Sequence, residues 1–183
     1  MTLEDKDLVP LSELVPPDGS ILHQRFLDYW LRLRGDRVMP SYRDLDPVDI
    51  PWALAYIFVL EVTPSGDFVY RIASDGHSKW YRRNLKGAKL EDIMQSEDAE
   101  EILGRWRMAR DIPAGFFVVT DHRSAQGVRV LGERMVLPMG QDNKAATHLV
   151  GVTKFAAESE LAESLLGDQQ VRLVRWSRLE RPD

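Results

Sequence analysis

The segment from residue 128 to residue 155 constrains the fold most strongly, because it has the pattern of a β-hairpin. Its first arm alternates up to Pro138, which cannot donate to a ladder and therefore predicts a strand end or a bulge. The second arm, residues 149–155, is almost wholly apolar, β-branched or glycine and is too short for a helix. Such a run is typical of a strand covered on both faces. We therefore expect a sheet with residues 149–155 at its centre.

Composition excludes several classes of function. The 183 residues, 44% of them hydrophobic, are sufficient for one domain with a core. A net charge of -5 argues against a general nucleic-acid binder. The absence of cysteine excludes disulfides, a thiolate nucleophile and an iron–sulfur site. No segment has the ~20 consecutive apolar residues that span a bilayer, and the N-terminus is unlike a signal peptide, so we expect a soluble cytoplasmic protein.

The N-terminal third is predicted to be an irregular arm followed by a helical cap. Residues 1–18 form the arm, and residues 19–54 form the cap. Ser20 is placed to cap a helix that runs from Ile21 to Arg34 and ends at Gly35. Three prolines then predict two short helical turns before residue 54.

Residues 55–156 are predicted to form the core of the domain, and residues 157–183 a tail. The tail begins as a helix and closes with a short amphipathic basic segment. Between two predicted hairpins lie a short helix after Asp75 and a longer one from Ser96 to Arg110. The predicted strands of the core are residues 55–62, 68–74, 116–123 and the two arms of the 128–155 hairpin.

This order of elements predicts an α+β domain built on a five-stranded antiparallel sheet. The middle helices are expected on one face of the sheet, which leaves the other face for the N-terminal helix.

Three segments carry a resemblance to a known family. They are Tyr29 to Pro51 with its Met39-Pro40-Ser41 and Asp46-Pro47 motifs, the run Phe68-Val69-Tyr70-Arg71-Ile72, and Glu133 to Pro138 leading to Gly151-Val152. In this order, over roughly residues 25–155, they resemble a PAS domain, specifically the short, nearly stand-alone PAS proteins of alphaproteobacteria. The sequence departs from that pattern at Ser74-Asp75-Gly76. The resemblance implies the strand order 2-1-5-4-3, a cavity between sheet and helices, and a sensory or regulatory role.

Two groups of residues are candidates for lining such a cavity. The charged strand residues Arg71 and Glu133 point either into it or out to water, depending on register, and an Arg71–Glu133 pair across the sheet is one alternative. Solvated charges or a structural ion pair are the other reading. Aromatic side chains are suited to a flat or acyl ligand, with ordinary core packing as the alternative, and this group is Phe58, Tyr70, Trp80, Tyr81, Trp106 and Phe117.

Metal and haem sites are not expected. The histidines His23, His77, His122 and His148 share no metal-ligand spacing, and His77, beside Trp80, is the best haem candidate among them. A flavin photosensor of the light-oxygen-voltage type needs an adduct-forming cysteine, which the chain lacks. No nucleophile elbow or glycine-rich phosphate loop is present. We therefore predict no cofactor and no catalytic activity.

The first helix and the tail are candidates for contacts with partners. The apolar stripe Phe26, Tyr29, Trp30 and Leu33 predicts a homodimer interface, with capping of the chain's own sheet as the alternative. The basic tail presents either a solvated face or a docking site for a partner, through Arg172, Arg175, Arg178 and Arg181.

Three functions remain open at this point. The first is a non-catalytic sensory module that acts through dimerisation and contact with an unidentified protein, with its cavity open to gating by an unidentified small molecule. The second is a constitutive interaction or scaffold domain whose cavity is filled by its own side chains. The third and weakest is an enzyme acting on a small carboxylate through Arg71 and Glu133.

Overall fold

A computed structural model describes residues 7–94, 96–123, 129–141, 144–156 and 171–182 of the chain. One antiparallel sheet runs through it. Its strands are β1 (Ile57–Val62), β2 (Phe68–Ala73), β3 (Ala114–Arg123), β4 (Arg129–Gly140), β5 (Ala146–Phe155) and β6 (Val171–Arg178). They lie in the order β2-β1-β5-β4-β3-β6. The predicted five-stranded order is confirmed, with a sixth strand added at one edge.

Strand β5 occupies the interior of the sheet, as the sequence predicts. It pairs with β1 on one side and with β4 on the other. Residues 149–153 are all buried, which explains their unbroken apolar and glycine composition. A Cβ atom on Gly151 would lie 2.1 Å from the carbonyl oxygen of Met135 and 2.5 Å from Phe58 Cζ, so only glycine fits between the two neighbouring strands.

Strand β4 continues through Pro138 instead of ending there. Pro138 pairs with Leu149 of β5, and the register shifts just beyond it, between Met139 and Gly140. On its other side β4 pairs with β3 only as far as Val136. A missing N–H at Pro138 therefore leaves no gap in the ladder.

Helices cover both faces of the sheet in the predicted arrangement. They are α1 (Ile21–Arg34), α2 (Asp75–Tyr81) and α3 (Ser96–Asp111). Helix α3 packs through Trp106 against Phe68 and Tyr70. On the opposite face, His23 of α1 meets the ring of Phe117 edge-on at 5.3 Å.

The caps of α1 are those that the sequence indicates. The side chain of Ser20 accepts a hydrogen bond from the backbone N–H of Leu22, and Gly35 ends the helix with a φ of 54°. The following segment contains three 3-10 turns where two were predicted. Ser41 and Asp46 cap the first two of them, and the turns are Tyr42–Asp44, Pro47–Asp49 and Pro51–Ala53.

The apolar stripe of α1 caps the chain's own sheet. Phe26, Tyr29 and Trp30 are 0%, 3% and 1% exposed, and Leu33 is half-buried against the same core. Trp30 Nε1 donates to the carbonyl oxygen of Pro138 at 3.1 Å. These side chains have almost no surface left for a second copy, which corrects the predicted dimer interface.

The tail and the N-terminal arm both join the sheet, which the sequence did not predict. Residues 171–178 form strand β6 beside β3, where a basic amphipathic segment was expected. The arm packs on this strand, because the backbone N–H of Val9 donates to the carbonyl oxygen of Trp176 and Leu14 is fully buried. Arg175 is half-buried, Arg178 and Arg181 are exposed, and the side chain of Arg172 and the predicted tail helix lie outside the described residues.

Substitution of Gly151 tests the centre of the sheet. Gly151→Ala is expected to lower the free energy of unfolding by about 3 kcal/mol, because the new methyl group meets a backbone carbonyl that cannot move aside. Gly104→Ala is the matched control, since nothing lies within 4 Å of its Cβ position on the exposed side of α3. It is expected to gain about 0.5–1 kcal/mol from helix propensity. Urea denaturation measures both, and equal midpoints for wild type and Gly151→Ala would contradict the position of β5.

Candidate functional site

A small cavity lies between α3 and the sheet. It has about 20 Å³ of space for the centres of water-sized molecules, enough for one or two waters. Side chains three or four residues apart lie on one face of the helix, and alternate side chains of β3 and β4 lie on one face of the sheet. These two faces meet at the cavity. The lining residues are Ile102, Arg105, Trp106, Phe116, Val118, Arg134 and Val136.

Arg134 is the unusual member of this lining, because it is a cation that is only 4% exposed. Its Nε donates to Thr153 Oγ1 at 3.1 Å, and its Nη2 donates to the hydroxyl of Tyr81 at 3.3 Å. The guanidinium also lies 5.4 Å from the ring centre of Phe58. Its Nη1 is buried without a hydrogen-bond partner among the described residues. One donor at the cavity is therefore left to a ligand or to water.

The surroundings of Arg134 do not neutralise its charge. Its hydrogen-bond partners in the described part of the chain are hydroxyl groups, and no carboxylate there pairs with it. Burial raises the pKa of the Tyr70 phenol, although the nearby Arg134 partly opposes the increase. The phenol is thus neutral at physiological pH and is not a counter-ion. A buried unpaired cation is energetically unfavourable, so its position requires an explanation.

His77 extends this polar network. Its Nε2 lies 3.1 Å from Thr153 Oγ1, and its Nδ1 lies 2.8 Å from Ser74 Oγ. Burial, helped by the charge of Arg134, lowers the pKa of His77 well below its usual range, so the ring is neutral. Because Thr153 already accepts from Arg134, the arrangement favours a Thr153 hydroxyl that donates to Nε2 and an Nδ1–H that donates to Ser74. Neither ring nitrogen is left to bind haem iron.

The other histidines have separate environments. His148 stacks on Tyr42 with ring centres 4.0 Å apart, His23 lies on the α1 face, and the side chain of His122 falls outside the described residues. Across the part of the chain that the structure describes, no three metal-binding side chains are grouped to hold an ion. In the same part, no helix has the length and apolar character needed to cross a bilayer.

The predicted aromatic residues divide between the two faces of the sheet. Trp106 lines the cavity, and its ring lies 6.2 Å from that of Tyr70. Phe58 and Tyr81 contact the guanidinium of Arg134. Two predicted residues lie elsewhere. Phe117 faces α1, and half-buried Trp80 stacks on Phe155 at 5.5 Å.

The predicted Arg71–Glu133 pair does not form. Arg71 Nη1 pairs instead with Glu61 Oε2 at 2.8 Å, with the two side chains 49% and 47% exposed. Glu133 points toward α1, away from the cavity. Side chains alternate along a strand, so Glu133 and its neighbour Arg134 must point to opposite faces of the sheet. The tertiary packing places Arg134 on the face that contains the cavity.

Glu133 connects β4 to the start of α1 through its contacts with Ser20 and His23. Its Oε2 lies 3.4 Å from the backbone nitrogen of Ser20 and 3.4 Å from His23 Nδ1, while its carbonyl oxygen lies 3.2 Å from His23 Nε2. The interaction with His23 lowers the pKa of Glu133, although partial burial opposes the decrease. Consecutive residues of one strand therefore contact the cavity on one face and the N-terminal helix on the other.

The sequence did not indicate Arg134, Thr153 or Ser74 as site residues, and Ser74 entered only as part of the departure from the family pattern at Ser74-Asp75-Gly76. One signal for Arg134 was available. Adjacent residues of a strand point to opposite faces of the sheet. Because both faces of this sheet are covered, Glu133 and Arg134 each had to point toward a covering helix, one on either side. Thr153 and Ser74 carried no such signal, because short hydroxyl side chains are common in exposed strands and turns.

Comparison with known proteins gives the family. A family model described as "PAS domain" matches residues 20–154, in agreement with the resemblance noted from the sequence. No curated protein sequence matches the chain significantly.

Solved structures of similar shape have low sequence identity. The Rhodobacter sphaeroides LOV protein is 11% identical with a TM-score of 0.48, over 67% of this chain and 74% of that one. Vibrio cholerae VqmA, described as a dimer in the absence of target DNA, is 11% identical with a TM-score of 0.47, over 65% of this chain and 56% of that one. The PAS domain of an HTR-like protein from Haloarcula marismortui is 10% identical with a TM-score of 0.43, over 60% and 88% respectively. Family membership therefore follows from the family match.

The contact between Glu133 and α1 predicts a pH-dependent difference in stability. Because the folded state lowers the pKa of Glu133 from its ordinary value of 4.5, the carboxylate stabilises the fold above that pH, and the contribution is lost as the pH falls through the lowered value. Glu133→Gln is expected to lower the free energy of unfolding by about 1 kcal/mol at neutral pH and by progressively less in acid. Urea denaturation at several pH values measures this difference.

The matched control for this experiment is Glu61→Gln, another strand glutamate, whose pair with Arg71 is half-exposed. It is expected to change stability by less than about 0.5 kcal/mol. A Glu133→Gln effect that is the same at every pH would show that the carboxylate charge does not hold α1.

Proposed function

The chain belongs to the PAS domain family, and on that basis we propose that it is a non-catalytic, cytoplasmic sensory module that responds to a small molecule held between α3 and the sheet. The observation that carries the proposal is the buried guanidinium of Arg134, whose Nη1 has no partner among the described residues and whose side chain lines the cavity. A binding cavity supplied with an unused donor is suited to recognising a ligand.

The path of the signal begins at β4. A ligand at Arg134 would displace or stiffen this strand, and the adjacent Glu133 holds Ser20 and His23 at the start of α1. Trp30 ties the other half of α1 to the same strand through the carbonyl oxygen of Pro138. Occupancy of the cavity would thus favour one position of α1 over another, which is how a ligand shifts a two-state equilibrium.

The output of the module is a change in protein contact, including formation of a homodimer. Exposed apolar side chains support this part of the proposal. In the segment after α1, Val48, Leu54 and Tyr56 are 83%, 44% and 38% exposed. Apolar residues that remain in water within a short segment are typical of an association surface.

A scaffold domain without a ligand is the second candidate. The specific observation in its favour is the small size of the cavity, about 20 Å³, because the rings of Trp106, Tyr70 and Phe58 fill much of the space between α3 and the sheet. The enzyme alternative has less support, since Arg71 pairs with Glu61 and Glu133 contacts His23 on the other face of the sheet.

Native mass spectrometry separates the sensory reading from the scaffold reading. Protein purified from its own host is expected to carry a small molecule above the 21.0 kDa mass of the chain, and to release it on denaturation. Val136→Ile places an extra methyl group at the cavity and is expected to abolish the added mass. Val152→Ile makes the same change on a neighbouring strand without touching the lining and is expected to retain it. Repeated purification without any added mass would favour the scaffold.

Light scattering coupled to size-exclusion chromatography tests the association surface. Wild type is expected to elute as a dimer of 21.0 kDa chains at micromolar concentration, and Leu54→Asp is expected to shift it toward the monomer. Ile112→Asp is the matched control, because Ile112 is exposed to a similar degree, 43% against 44%, but lies just beyond α3. A wild-type protein that is monomeric under these conditions would remove dimerisation from the proposal.

A further inference from the structure

We propose that the ligand of the cavity is a small carboxylate anion, one of whose oxygens accepts from Arg134 Nη1 and the other from the hydroxyl of Tyr70. The inference rests on the proposed function only for the existence of a natural ligand. Its own support comes from the charges, the unused donors and the size of the cavity.

Charge balance indicates an anion. Two guanidinium groups line the cavity, Arg105 and Arg134. Arg105 Nη1 is neutralised by Glu101 Oε1 at 2.6 Å, one turn earlier on α3. Arg134 has only hydroxyl partners among the described residues, so the cavity contains one positive charge without a counter-ion there. An anionic ligand would supply it, whereas a cation would be repelled and a neutral molecule would leave the charge unbalanced.

The unused donors indicate a carboxylate. Among the buried polar atoms of the described residues that lack a hydrogen-bond partner are Arg134 Nη1, which lines the cavity, and the hydroxyl oxygen of Tyr70, which lies outside the lining. The ring of Tyr70 lies 6.2 Å from that of Trp106, which lines the cavity. A guanidinium N–H and a neutral phenol O–H can both donate, and an ionised carboxylate offers two oxygens that only accept. A carboxylate bound at Arg134 Nη1 would present its second oxygen as an acceptor for the Tyr70 hydroxyl.

The size and lining of the cavity limit the rest of the ligand. A space of about 20 Å³ is too small for a flat aromatic cofactor unless α3 moves. The remaining walls are apolar and suit a short alkyl group next to the carboxylate, and they are formed by Ile102, Phe116, Val118 and Val136. This combination selects the smallest carboxylates, of one or two carbons, and acetate is a practical probe for them.

Thermal unfolding with acetate tests the inference directly. The wild-type protein is titrated with sodium acetate or with acetamide, which has the same shape without the charge. Sodium gluconate, an anion too large for the cavity, keeps the ionic strength constant. Acetate is expected to raise the unfolding temperature in a saturable way, and acetamide is expected to leave it unchanged.

Three variants assign the effect to the site. Arg134→Met keeps an unbranched apolar stem and removes the guanidinium, and is expected to weaken acetate binding by about 10- to 100-fold. Tyr70→Phe removes only the hydroxyl and is expected to weaken it several-fold while preserving the core, so it serves if Arg134→Met does not fold. Arg71→Met is the control, because it removes an equally charged side chain whose guanidinium pairs with Glu61 at the surface. It is expected to bind acetate like the wild type.

The outcomes separate this inference from the proposed function. Equal responses to acetate and acetamide, no response to either, or acetate binding that survives both Arg134→Met and Tyr70→Phe would overturn the carboxylate site. A neutral molecule that co-purifies with a protein insensitive to acetate would overturn the site but leave the sensory role. Acetate binding through Arg134 without a change in amide hydrogen exchange at residues 20–27 would establish the site and overturn the transmission to α1.

Discussion

Burial of β5 on both faces is the constraint on which the rest of the structure depends. The strand pairs with β1 and β4, and its central residues have no access to solvent, so both faces must be covered by helices. Helix α1 covers one face through Phe26 and Trp30, and α3 covers the other through Trp106. The absence of a side chain at Gly151 lets Phe58 and the backbone carbonyl of Met135 in β4 approach closely.

Within this apolar interior, the Arg134 network is the principal departure from simple packing. A buried charge of this kind contributes little to stability on its own, and apolar replacements of buried ion pairs are often neutral or stabilising. The network of Arg134, Thr153, His77 and Ser74 is nonetheless well hydrogen-bonded except at one atom, which lies at the cavity. This unused donor is the feature on which the proposed ligand site rests.

The arrangement of β4 links this pocket to the opposite face of the sheet. Period-two alternation places Arg134 among α2 and α3 residues, and its neighbour Glu133 against Ser20 and His23 of α1. No long chain of contacts is required, because one strand contributes to both sites. The proposed signal would use this shared strand, which is paired on both sides.

The sequence by itself determined the local elements and their class. Strand and helix periodicity, with the caps at Ser20 and Gly35, predicted the α+β domain, the two-sided covering of the sheet and the central position of residues 149–155, since these depend on short-range patterns. Only the tertiary structure decided the pairings between distant segments. In the folded chain Arg71 pairs with Glu61 and Glu133 contacts His23. Residues 171–178 form the strand at the edge of the sheet. Alternation requires that neighbouring residues face opposite ways, but which face receives the cavity is set by contacts between residues far apart in the chain, as the 110-residue separation of His23 and Glu133 illustrates.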